Sequence, residues 1–334
     1  MTNVFQSMGY AIQYEQANLD LGEYPICARQ SIKLAGVKRG SRVLDVGCGT
    51  GISTYELFNS VPKVNVVGVD SSQEMLSLAL LKFGLLQDSP ALLNEIRERH
   101  PYPEIVRRHC EVGDLEDHLK RETERYARFK DKVKFYCLDA SELQRMDENP
   151  FEYVLASQFI HWPRKKDIEI TGVNYDYEQK VLAQVRGSLV PKGVFAFNTS
   201  AADYRFQDEN RNKVHLLNHP FYIAFQDAMS HLLGLTSAGR NYTFDHNEME
   251  RIMRKAGFLI KDFDLNVLTL EASKLVEICL VGGHMQIFQK LGIEASPDER
   301  EIILAEALRL ALRKTSPSVA PVIETFVHYS AVKQ

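Results

Sequence analysis

The sequence predicts an α/β fold in which a doubly wound, seven-stranded and mostly parallel sheet carries helices on both faces and helical cap insertions. Three observations predict it. Short β-rich runs alternate with stretches of helical periodicity from Ser41 onward, a glycine cluster directly follows the first run, and the second and third runs each end in an aspartate.

Residues 1–40 read as a helical leader: Ile26, Ala28 and Ile32 to Leu34 form an apolar stripe that Gly36 and Gly40 interrupt. The segment is expected to fold as a lid on a single domain spanning 41–334. Arg42 to Val46 is the first strand, Gly47-Cys48-Gly49-Thr50-Gly51 a turn, and Ile52, Tyr55, Leu57 and Phe58 the apolar positions of a helix. Val64 to Asp70 is the second strand. Ser71 is the expected N-cap of the next helix, with Glu74 three residues on and Met75, Leu76, Leu78 and Ala79 inward. Residues 87–132 are densely and evenly charged, with Leu115, Leu119, Tyr126 and Phe129 at helical spacing, which predicts an amphipathic helical insertion.

The third strand is Val133 to Asp139 and the fourth Phe151 to Ser157; helical periodicity follows from Lys180 to Leu189, and a fifth strand from Val194 to Asn198. An aromatic- and His-rich stretch, 201–245, interrupts the alternation and is expected to cap the substrate. Met249, Ile252, Met253 and Ala256 mark a helix closed by Gly257. Phe258–Leu270 and Val322–Val332 complete the sheet, the second alternating polar and apolar as an edge or antiparallel strand does.

Of the 334 residues, 45% are apolar and 25% charged, enough for a full-sized core. A net charge of -4 leaves no basic field for a nucleic-acid backbone, so nucleic acid is not expected as a partner. The five cysteines are widely spaced without a CxxC pair, which argues against a disulfide framework or a zinc site and for a cytoplasmic setting. No run approaches about 18 apolar residues, so membrane association is not expected either. A homodimer remains open.

An open parallel sheet binds its ligand beyond the carboxyl ends of its strands. Gly47, Gly49 and Gly51 lie at that edge with Asp70 and Asp139. Glycines let backbone approach a ligand and aim amide N–H groups at it. A carboxylate about 20 residues on accepts both hydroxyls of a ribose, and Asp139 suits an exocyclic amine. A dinucleotide site reads differently: its third glycine would fall on Ile52, and Asp45 beside the loop would repel phosphates. An acidic rim suits a cationic cofactor.

VLDVGCGTG, then VVGVD, then a strand ending LDA, resembles the class I S-adenosylmethionine-dependent methyltransferases, a Rossmann-like fold, and within them small-molecule enzymes of the type 11/12 kind. The resemblance covers about Ser41 to Asn198. It implies S-adenosylmethionine as cofactor, with Gly47, Cys48 and Gly49 against the methionine moiety, Asp70 on the ribose, Asp139 and Ala140 about the adenine, Ser157 near the sulfonium, and Asp45, Ser71 and Met75 completing the site. LASQFIHWPRK resembles the loop after the fourth strand in enzymes that make carboxyl esters of apolar acids, where an aromatic motif lies beside the methyl group.

For the acceptor, the expected contacts are Tyr14, Gln158, His161, Trp162, His219 and Phe221. His161 stands either as general base or as an orienting residue of the pocket wall, because a carboxylate acceptor needs no base. Tyr10 and Gln13 in the leader, and His215, Tyr222 and Phe225 in the aromatic stretch, are further pocket candidates. Cys48 is expected to serve as a small residue rather than a nucleophile, and no metal is expected. The implied reaction is methyl transfer to oxygen of a small, partly apolar molecule. N- or C-methylation, a nicotinamide-dependent oxidoreductase and a non-enzymatic partner protein with the same fold are the other readings.

Overall fold

The computed structural model describes residues 8–86, 89–98, 104–108, 113–159, 176–200, 214–215, 219–235, 246–270, 274–283, 288, 295–319 and 322–334. Two helices, α1 (Met8–Leu21) and α2 (Glu23–Ala35), precede β1 (Arg42–Val46). Alternation follows through α3 (Ile52–Ser60), β2 (Asn65–Asp70) and α4 (Gln73–Lys82). The charged insertion forms α5 (Ser89–Glu98), α6 (Glu104–Arg107) and α7 (Leu115–Tyr126), and α7 buries Leu115, Leu119 and Tyr126. Then come β3 (Val133–Cys137), β4 (Phe151–Ala156), α8 (Asp176–Ser188) and β5 (Leu189–Ser200).

Among the described residues, seven long strands and one of two residues make a single sheet. Its order is β3-β2-β1-β4-β5-β8-β6, where β6 is Val214–His215 and β8 is Val322–Lys333, while β7 (Phe258–Leu270) also pairs with β8. β1 to β5 are parallel; β8 runs antiparallel to both β5 and β7. The antiparallel expectation for the last strand therefore holds, but β8 lies inside the sheet with β7 on its flank. Its buried, alternating Phe326, His328 and Ser330 pack between elements instead of facing water.

Two apolar clusters cover the sheet faces. Leu44, Val46, Val154, Phe195 and Phe197 pack with α8 and with α10 (His246–Lys255) on one face; Val43, Val66, Leu57 and Phe83 pack with α2 and α3 on the other. A third cluster belongs to the cap. The stretch between β7 and β8, to which the sequence reading assigns no element, holds α11 (Leu275–Gly283) and α12 (Pro297–Lys314). These bury Leu275, Val276, Leu280, Leu304 and Leu308 against Phe221, Phe225 and Met229 of α9 (Pro220–Leu232). Leu270 pairs with Val322, so the insertion leaves and re-enters the sheet at one point. That point lies beyond Ser200, the last residue of β5, which pairs with Phe326. The cap therefore stands at the carboxyl edge of the parallel strands.

Candidate active site

The strand order reverses between β1 and β4, which opens a crevice at their carboxyl ends. The glycine loop forms its floor. Gly47 N and Cys48 N both donate to Val69 O, at 2.8 and 3.1 Å, tying the loop to β2. Gly47 has φ +71°, and a Cβ there would stand 2.4 Å from the Phe159 ring, so only glycine lets the turn after β4 close on the loop. At Gly49 a Cβ would meet nothing within 4 Å, which leaves that side of the loop open to a ligand.

Asp70 closes the loop. Its Oδ2 accepts from Gly49 N and its Oδ1 from Ser72 N, both at 2.9 Å, and each oxygen keeps lone-pair capacity for a further donor. Burial raises its pKa, against the opposing backbone hydrogen bonds. The N-cap of α4 is Ser72, whose Oγ accepts from Met75 N at 3.0 Å; the expected Ser71 precedes it, because Asp70 draws the chain round by one more residue before the helix starts. Met75 is buried against Tyr10 and Ile12 of α1.

Asp45 is fully buried beneath the loop. Its Oδ2 accepts from Ser53 Oγ and Thr54 Oγ1, both at 2.6 Å, and its Oδ1 has no partner among the described residues. Burial lifts its carboxyl to about 6; the two hydroxyls oppose the shift and Asp70 adds to it. Cys48 Sγ lies against Gly68, and burial, with Asp45 and Asp70 adding to it, pushes its thiol well above the ordinary value. A thiol in that state is no nucleophile.

Asp139 caps the 3-10 turn Ala140–Arg145: its Oδ1 accepts from Ser141 N at 2.8 Å and from Tyr177 Oη of α8 at 2.6 Å. Ala140 is buried behind it. Ser157 and Gln158 follow β4 at the crevice, and Gln158 has φ +56°. Tyr14, half-buried on α1, meets the Tyr24 ring at 5.0 Å and carries a phenol raised chiefly by burial, with Glu23, Glu15 and Asp70 nearby. His219 and Phe221 belong to the cap: His219 is buried as the N-cap of α9, its Nδ1 accepting from Phe221 N at 3.2 Å, and Phe221 lies in the cap core. His161 and Trp162 lie outside the described residues. Of the further pocket candidates, Tyr10, Tyr222 and Phe225 are buried in packing clusters, and Gln13 Nε2 donates to Glu301 of α12 at 3.0 Å.

Three features have no counterpart in the sequence reading. Glu23, opening α2, and Glu324, at the start of β8, share a hydrogen bond beyond the end of β5; burial lifts both carboxyls, Glu324 to about 7, with Glu277 of α11 adding to the effect on Glu23. Asn198 of β5 reaches both the turn after β4 and α2. No local signal marks these residues, since each acts on elements remote in the chain. Among the described residues, no group of three or more His, Cys, Asp or Glu is placed to hold a metal.

The methyltransferase domain family matches residues 24–261, well over half of the chain. An uncharacterised phycocyanin operon protein W of Pseudanabaena tenuis is 47% identical over 38 residues, 11% of this chain and 36% of that protein. Among solved structures, the [4+2]-cyclase SpnF is 16% identical, with 92% of this chain and 80% of that one covered at a TM-score of 0.44. Phosphoethanolamine N-methyltransferase 2 of Haemonchus contortus, solved with S-adenosylmethionine, is also 16% identical, with 97% and 56% covered at a TM-score of 0.42; this chain spans little more than half of that enzyme.

Proposed function

Because this chain belongs to the methyltransferase domain family, whose methyl donor is S-adenosylmethionine, we propose that it moves that methyl group onto a carboxylate or hydroxyl oxygen of a small, partly apolar molecule. When bound, the donor would supply a methyl group on an electron-poor sulfonium, open to in-line attack by the acceptor oxygen and leaving as a neutral thioether. The chain's own residues supply binding and alignment. Asp70 takes the two ribose hydroxyls on its remaining lone pairs, and Asp139 with Ala140 borders the base. Gly49 presents the open side of the loop, while the Asp45 and Asp70 carboxylates favour binding of the cationic donor over its neutral thioether product. A carboxylate acceptor needs no base; a hydroxyl acceptor gives its proton to His161.

The observation that supports a small acceptor is the apolar cap of α9, α11 and α12, which is rooted in the sheet at the carboxyl edge of the parallel strands. Residues 1–40 act in this reading as a lid, and the segments 87–132 and 201–245 as further cover. A second reading has one specific observation in its favour: the Glu23 and Glu324 carboxyls at the same edge suit an amine-bearing acceptor and N-methylation. Decanoic acid, 1-decanol and decylamine, each incubated with the protein and donor carrying a tritiated methyl group, separate the two. Label in an alkali-labile ester or a stable ether supports O-methylation, and label in the amine alone replaces it with the second reading.

A further inference from the structure

Asn198 joins three elements that meet only in the folded chain. It is fully buried, and strand pairing sets it beside His328 of β8. Its Oδ1 accepts from Gln158 N at 2.7 Å. Its Nδ2 points toward Ser31 Oγ at 3.1 Å, Ser157 Oγ at 3.3 Å and Cys27 O at 3.5 Å, with Ser31 and Cys27 one turn apart on α2. Ser31 Oγ lies 2.9 Å from His328 Nδ1. Only an amide serves this position as it stands: one atom must accept from a backbone N–H while the other donates to oxygens.

The turn that Asn198 grips is strained. Gln158 has φ +56°, a left-handed conformation that strains a non-glycine residue, and the buried hydrogen bond from its N–H to Asn198 holds it there. Gln158 Nε2 adds a weaker contact to Cys27 Sγ at 3.6 Å. The next residue, Phe159, lies on Gly47 closely enough that no side chain fits there. Packing thus runs without a gap from β8 and α2 through Asn198 to the glycine loop.

We propose that Asn198, oriented by Ser31 and His328, is a positioning residue that holds the Ser157–Phe159 turn against the glycine loop and thereby sets the affinity of the site for its donor. The inference rests on the donor lying along that loop. Ser31 Oγ accepts from Asn198 and shares a hydrogen bond with His328 Nδ1, its direction set by the imidazole tautomer. Burial holds His328 down at about 4, against the opposing charge of Asp264 on β7, so the imidazole is neutral at neutral pH. The other titratable groups nearby are Cys27 and Glu23 on α2 and Glu324 on β8.

Asn198→Asp tests the proposal in the full-length protein, with S-adenosylhomocysteine binding read by calorimetry. The carboxylate accepts from Gln158 N but cannot donate to Ser31, Ser157 or Cys27 O; once protonated, it can. Affinity should fall about tenfold below wild type near pH 8 and return to within about threefold of wild type near pH 5.5, as the buried carboxyl takes up a proton. Equal loss at both pH values, or loss at neither, overturns the proposal. Ser31→Ala keeps the test open if Asn198→Asp does not fold: a loss of about threefold or more is expected, and wild-type affinity overturns it. Asp70→Ala separates the two levels of the argument. Lost binding there beside wild-type binding in Ser31→Ala removes the positioning role alone, while unchanged binding in Asp70→Ala removes the placement of the donor.

Discussion

Asp45 and His328 pull the pH dependence of stability in opposite directions. Asp45, at about 6 in the folded chain, binds more protons there than in the unfolded chain, so folding stability falls as pH rises from about 4 to 6. The full cost above that window is on the order of 3 kcal/mol. His328, at about 4, binds fewer protons folded than unfolded; its contribution is complete above about 6.5 and is lost as pH falls toward 4. The two nearly cancel between pH 4 and 6. Asp45→Asn removes one of them: urea midpoints should rise above wild type near pH 7.5 and change little near pH 4, the gap between variant and wild type widening with pH in between. A variant less stable than wild type at pH 7.5 would mean that Ser53 and Thr54 outweigh the burial. Donor affinity should fall in the same variant, because on the proposed placement of the donor the Asp45 carboxylate beneath the glycine loop acts on its positive charge.

Helix α1 shows how an element escapes a reading of periodicity. It buries polar Gln13, Glu15, Gln16 and Asn18 together with Ala11, Ile12 and Ala17, so no apolar stripe marks it. Its partners are remote in the chain. Glu15 Oε1 meets Lys82 Nζ of α4 at 2.6 Å, both wholly buried, and His118 Nε2 of α7 at 3.5 Å; Lys82 Nζ also reaches Thr50 of the glycine loop at 3.4 Å. Burial alone would raise the Glu15 carboxyl, but Lys82, His118 and Thr50 hold it at about 2. Its stability contribution is therefore present above about pH 4.5 and lost as pH falls toward 2. Glu15→Ala leaves a buried ammonium uncompensated and should cost about 3–5 kcal/mol in urea unfolding, with Lys82→Met added to the same chain restoring much of it. A loss below about 1 kcal/mol would show that water reaches the pair and that α1 is not latched to the loop.

At the scale of the molecule, the cofactor half was readable because its signals are local: a strand, a glycine turn and an acid-ended strand each occupy a few consecutive residues. The cap was readable only in part. Residues 201–245, which hold α9, are expected as cover, and α12 carries a Ser296–Glu299 capping box with an apolar stripe at Leu304, Ala307, Leu308 and Ala311, but that this stripe packs on α9, more than sixty residues earlier, is known only from the fold. The buried polar residues of the site's far wall, Asn198 and Glu324, sit in strands whose neighbours become known only from the sheet order. The acidic crevice nevertheless commits the whole chain to a donor of one charge type. S-adenosylhomocysteine at about 100 times its Kd should add about 2.7 kcal/mol to the stability of the folded chain, a rise of a few degrees in Tm. NAD or NADP at the same concentration should add nothing, since the Asp45 and Asp70 carboxylates beside the glycine loop would repel a pyrophosphate laid along it. Stabilisation by a nicotinamide dinucleotide without any by S-adenosylhomocysteine would reverse the assignment of the crevice, because the glycine loop would then bind phosphate despite both carboxylates.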